Sequence, residues 1–204
     1  MRNPIRILVL GAFALLPAAV LGDHLQDGLD AYNIGEYDKS MENCLPLAEQ
    51  GIPAAQFCVA RLYANGFGVD MNDEMALKWY GMAADQGHAE AQFNLGVMHA
   101  NGWGVPMNDV EAAKWYRPAA DHGNIQAQMA LAAVLHAGRG LEKDVAESYM
   151  WYRIAAELGD TAAISKRDDV AAELSAADKA AADAEVGAWI SRFEEGELHA
   201  GHTH

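Results

Sequence analysis

Cations are scarce in this chain: 14 lysines and arginines stand against 29 aspartates and glutamates, a formal net charge of −15. Binding to nucleic acid or to an anionic lipid surface draws on lysine and arginine displacing counterions, so polyanionic partners are excluded on charge. Proline is sparse, at six residues, and long β-branched runs are missing. A sheet protein needs such runs, whereas a chain dominated by alanine and glycine suits many short helices with glycine punctuation. The expected fold class is therefore all-α. Signatures of catalysis are missing too. None of Ser40, Ser148, Ser165, Ser175 and Ser191 opens a Ser-x-x-Lys motif, and there is no Gly-x-Ser-x-Gly elbow, phosphate loop or His-Glu-x-x-His. No enzyme activity and no cofactor are expected. With 51% apolar and 21% charged residues, the composition is otherwise that of an ordinary globular chain with a sizeable core.

Apolar runs of membrane-spanning length are absent as well. Ile7 to Leu16 is apolar but shorter than the eighteen or so residues that crossing a bilayer requires. Arg2 and Arg6 flank its start, Pro17 breaks it, and small residues follow. Val20 and Gly22 then occupy the −3 and −1 positions of a cleavage site before Asp23, so residues 1–22 are expected to be a signal peptide. After its removal no stable membrane insertion is expected.

What the sequence does have is an internal repeat with a period of 36 residues. Ala55-Gln56 returns as Ala91-Gln92 and Ala127-Gln128. Gly66 and Gly68 return as Gly102 and Gly104, then as Gly138 and Gly140. Trp79-Tyr80 returns as Trp115-Tyr116 and Trp151-Tyr152, and Ala83-Ala84 with Gly87 returns twice in the same way. Such self-similarity marks an array of stacked supersecondary units.

Each unit reads as two helices. The first, over 54–65 in the earliest full copy, stops at a glycine able to take the left-handed conformation. The second opens at Asn72, Asn108 and Asp144, side chains that satisfy free backbone amides. Glu111 and Glu147, three residues further on, are placed to complete a capping box, as is Asp178 after Ser175. A helix pair of this size cannot bury its apolar face alone, so units must stack. The expected organisation is an N-terminal unit over 23–53, repeats over 54–89, 90–125 and 126–161, capping helices over 162–193 and a tail over 194–204. Val186, Trp189, Ile190 and Phe193 recur at helical spacing in the last helix, the pattern of an end cap.

The run from Ala91 to Gly123, AQFNLGVMHANGWGVPMNDVEAAKWYRPAADHG, resembles the Sel-1-like repeat, a relative of the tetratricopeptide repeat with a longer Gly-x-Gly-Val turn. The likeness extends over about residues 28–163. Leu141 departs from the turn valine, and His136 from the alanine near the end of its helix. The N-terminal unit lacks the long turn and resembles a plain tetratricopeptide unit. The resemblance implies a right-handed superhelix serving as a non-catalytic adaptor for a protein or peptide partner. Together with a signal peptide it implies a bacterial periplasm, or secretion. It further implies that first helices line a concave face, at Phe57, Arg61, Ala64 and Asn65, then Phe93, Val97, Ala100 and Asn101, then Met129, Ala133 and His136. Phe57, Phe93 and Met129 would form an apolar ladder there. Trp103, between Gly102 and Gly104, is a second candidate anchor. Cysteine-rich relatives associated with penicillin binding keep a hydrolase as one alternative.

Two further features complete the reading. Cys44 and Cys58 lie seven residues to either side of Gly51, so in an antiparallel helix pair they sit at matching heights. A disulfide is sterically open to them in an oxidising compartment, and two buried free thiols are the alternative. His199, His202 and His204 crowd the C-terminus, and with the turn residues Met71 and Met107 they are the candidates for a metal-binding alternative, although no metal site is expected.

Overall fold

The computed structural model describes residues 18–196, with side chains from residue 22 onward. The start of the expected signal segment and the three tail histidines lie outside the described residues. Within them the chain forms ten helices and no strand: α1 Ala18–Asn33, α2 Tyr37–Glu49, α3 Pro53–Asn65, α4 Asp73–Ala84, α5 Ala89–Asn101, α6 Asp109–Asp121, α7 Ile125–Ala137, α8 Val145–Glu157, α9 Thr161–Ala171 and α10 Ala176–Glu194. From α1 to α9 each helix packs on the next, and α10 packs on α8. The result is the all-helical repeat array that the 36-residue period demands.

Local chemistry sets the helix limits. α3, α5 and α7 end where Gly66, Gly102 and Gly138 take φ of 66°, 73° and 65°, a conformation costly for any residue with a Cβ. Asn72 caps α4 by accepting from the Met75 amide at 2.9 Å, and Asn108 and Asp144 cap α6 and α8 in the same way. The expected capping boxes are not completed by the acidic partners. Glu111 is drawn instead to Lys114 Nζ at 2.6 Å, and Glu147 to the Arg117 guanidinium. Asp178 accepts from the Ser175 hydroxyl at 2.7 Å. A full cation or a hydroxyl within reach outcompetes a single backbone amide for a carboxylate.

The core is built from small residues and a few large ones. Ala55, Ala60, Ala83, Ala91 and their repeats are fully buried and let neighbouring helices approach, while Trp79, Tyr80, Trp151 and Tyr152 fill the remaining space. The alanine-glutamine signature has a further role. Gln56, Gln92 and Gln128 are buried, and each donates from Nε2 to a carbonyl at the end of the preceding second helix, Ala48, Ala84 and Ala120, at 3.1 to 3.3 Å. Last-turn carbonyls have no partner within their own helix, so each glutamine closes one unit onto the next.

At the N-terminal end Cys44 of α2 and Cys58 of α3 are joined in a disulfide, with Cα atoms 6.3 Å apart. At the other end α10 turns back onto α8. Trp189 meets Trp151 edge-on at 6.1 Å and stacks on Phe193 at 4.9 Å, which hides Val186 and Trp189 from water. Arg153 of α8 pairs with Asp183 of α10, repeating the Arg117–Glu147 pair between α6 and α8 at the same sequence separation of 30. α10 thus bonds to α8 as α8 does to α6, but it packs on α8 itself and not on α9.

Candidate functional site

The stacked helices leave two continuous surfaces for a partner: the face of the first helices and the edge formed by the turns within units. On the first face, Phe57 and Phe93 are half-buried. The Phe57 ring stacks on His88 at 4.6 Å and lies 5.8 Å from Tyr80, and Phe93 lies 6.0 Å from Tyr116. Phe93 and Met129 pack against the core of the C-terminal half. The expected ladder is therefore partly a packing element, because the aromatic ring directly after the buried Ala-Gln pair reaches the tyrosine of its own second helix.

Arg61 stacks on aromatic rings. Its guanidinium carbon sits 3.7 Å above the Tyr32 ring of α1 and 5.5 Å from the Phe57 centroid, a cation–π stack bridging two units. Val97 and Ala100 are half-buried and Ala133 is exposed at the matching positions. Asn65 and Asn101 are exposed, but each donates its Nδ2 at 2.8 Å to a carbonyl of its own helix, from Arg61 and Val97. They act as helix terminators. His136 departs from the expected groove role too, since its Nε2 lies 2.5 Å from a carboxylate oxygen of Glu173, to which Lys143 also reaches at 3.3 Å. These contacts tie the α9–α10 turn to the end of α7 and hold the Glu173 carboxyl below its ordinary range, the His136 bond being the larger cause. On burial, the Tyr80 hydroxyl is pushed up.

Sequence reasoning passed over His88 and Tyr32. His88 caps α5 through Nδ1, 3.3 Å from the Ala91 amide, and supports Phe57. The signal was available: Asn124 and Asp160 stand one and two periods later and cap α7 and α9.

The turn edge is formed by loops that stack like the helices. Trp103 is 51% exposed there, beside Met71 at 68% and Met107 at 71%. Among the serines, Ser148 donates to the Ala132 carbonyl at 2.8 Å, Ser175 caps α10, and Ser40 Oγ lies 3.4 Å from Cys58 Sγ. These hydroxyls have structural partners in place of a base. Among the described residues no group of three or more metal-ligating side chains is gathered, and no helix is long and apolar enough to cross a membrane.

Residues 53–88, 89–124 and 125–160 each match the family model of the Sel1 repeat. A Sel1 repeat protein from Oxalobacter formigenes, known by crystal structure, superposes with a TM-score of 0.68 at 40% identity, over 70% of this chain and 59% of that one. A protective antigen of uropathogenic Escherichia coli with an SLR fold gives a TM-score of 0.69 at 30% identity, over 74% of this chain and 33% of its own. This chain therefore spans about three fifths of the first relative and a third of the second. No curated protein matches it. Sel1 repeats generally mediate protein interactions. With three consecutive matches over more than half its length, the chain belongs to the Sel1 repeat family.

Proposed function

We propose that this protein is a non-catalytic adaptor of the bacterial cell envelope, exported to the periplasm or beyond, that holds a protein or peptide partner along its first-helix face. One observation carries the reading. Positions that build the array repeat from unit to unit, as with the glutamine contacts to Ala48, Ala84 and Ala120. Positions on the first-helix face change identity, from Arg61 to Val97 to Ala133. A surface whose frame is constant and whose outward groups vary suits recognition of one extended partner, each unit reading a different part of it. The disulfide is consistent with an oxidising compartment. Cleavage before Asp23 would shorten α1 to its last three turns, the part that carries Leu25, Leu29 and Tyr32.

The test is capture from an envelope extract with the chain from Asp23 onward, followed by binding of the identified partner in purified form. Arg61→Glu and Val97→Asp are expected to weaken that binding at least tenfold, about 1.4 kcal/mol, with an unchanged helical spectrum. Unchanged affinity in both variants would remove the first-helix face from the reading. Failure to retain any protein above a bead control would remove the adaptor itself. Retention in the osmotic-shock fraction checks the location, and a cytoplasmic protein with residues 1–22 intact would refute export.

A further inference from the structure

Five of the seven large apolar side chains that stand exposed among the described residues lie on the turn edge: Ile34, Met71, Trp103, Met107 and Val110. Its loops are in register, since Gly68, Gly104 and Gly140 each press on the first residue of the preceding second helix, Tyr37, Asp73 and Asp109. The residue before each glycine therefore meets an equivalent neighbour three times, and the three solutions differ. Phe67 stacks on Tyr37, ring centroids 4.3 Å apart. Arg139 pairs with Asp109 at 3.2 Å. With Gly104 pressed on Asp73, the same register assigns Trp103 to Asp73, an aromatic from the first solution matched with a carboxylate from the second. Neither has a ring or ion-pair partner among the described residues.

The group that satisfies both halves of this mismatched pair is a guanidinium, which stacks flat on an indole while its edge donates to a carboxylate. The molecule itself shows an arginine held by the equivalent carboxylate in the next unit. Carboxylates dominate the two loops: no lysine or arginine occurs between Lys78 and Lys114, Asp70, Asp73, Glu74 and Asp109 lie in or beside the loops, and Arg139 from the next loop is paired with Asp109. We propose that the Trp103–Asp73 site is a docking point for an arginine carried by a protein partner, with an apolar residue next to it resting on Met107. This site is separate from the first-helix face and does not depend on it.

The experiment follows the five indole N–H resonances of the protein, with that of Trp103 assigned by its loss in Trp103→Phe. The probe is the capped tripeptide Leu-Arg-Leu, against the same peptide with citrulline, which keeps the shape and removes the charge. The Trp103 resonance is expected to move with the arginine peptide, and at least tenfold more weakly with citrulline or in Asp73→Asn. Raising the ionic strength from about 0.05 M to about 0.5 M should also weaken the response. Trp103→Arg would reproduce the Arg139–Asp109 pair internally and is expected to fold normally while abolishing the response at the Asp73 amide. Equal responses to both peptides, insensitivity to Asp73→Asn, or persistent binding in Trp103→Arg would each overturn the proposal. A Trp103 resonance that moves on diluting the protein alone would assign the edge to a second copy of the chain and overturn it as well.

Discussion

Replacing Gly104 by alanine separates what a turn costs from what stacking costs. Gly104 has φ of 67°, where an L-residue with a Cβ is disfavoured by about 1–2 kcal/mol. A Cβ at this position would also lie 2.7 Å from the Asp73 carbonyl oxygen and 2.8 Å from its carbon, closer than such contacts allow. The obstacle is backbone in the first turn of α4, fixed by the Asn72 cap, so it cannot rotate away as a side chain would. Overpacking of this kind adds about 1–3 kcal/mol. Gly35 is the control: φ is 83° and nothing lies within 4 Å of a built Cβ. Gly35→Ala is expected to cost about 1–2 kcal/mol and Gly104→Ala about 2–5 kcal/mol. Urea unfolding followed at 222 nm, with the disulfide intact, measures both. Because units are coupled only through neighbours, Gly104→Ala should also broaden the transition and lower its slope. Equal losses within about 0.5 kcal/mol, with unchanged slopes, would show that loop-to-helix contact contributes nothing to the coupling of units.

Three other outcomes are expected. Reduction of the Cys44–Cys58 bridge, which closes a sequence separation of 14, should lower stability by about 3 kcal/mol, read as a shift in urea midpoint with and without reductant. Thiol counting on the unreduced, unfolded protein should find no free thiol at these positions. Gln128→Ala removes the buried side-chain donor to the Ala120 carbonyl, which keeps the Gly123 amide, and should cost about 0.5–1.5 kcal/mol by denaturant unfolding, whereas Gln126→Ala, exposed two residues earlier, should cost little. Glu173 has a folded pKa below its ordinary value, so its contribution is present above the unfolded carboxylate range, near pH 4.3 by general reference, and is lost as pH falls through the lower folded value. Acid titration of the α9–α10 turn by NMR should show this release, and Glu173→Gln should remove it.

Much of this architecture was legible in residue order alone, for identifiable reasons. Helix ends depend on local chemistry, a glycine that can adopt positive φ and a side chain that can cap an amide, and those signals stand at Gly66, Gly102, Asn72 and Asn108. The period was visible because stacking requires equivalent residues at equivalent places. Which exposed positions face a partner was less legible. Phe57 and Phe93 read as groove residues, yet both are half-buried and lie against Tyr80 and Tyr116, 23 residues further along the chain. Side-chain bonds were misjudged where competition decides: Glu111 and Glu147 turned to Lys114 and Arg117 because those cations come within reach only once the helices are formed and stacked.

The sequence by itself determined that this chain is helical, repetitive, acidic and built of units that must stack, because each of those properties follows from composition or from spacing along one helix. Only tertiary structure decided that Gln56, Gln92 and Gln128 join the units, that α10 packs on α8, and that the Gly104 turn presses on Asp73. Each of these depends on groups brought together from adjacent units, and a distance between units is set by packing, which no local pattern of residues encodes.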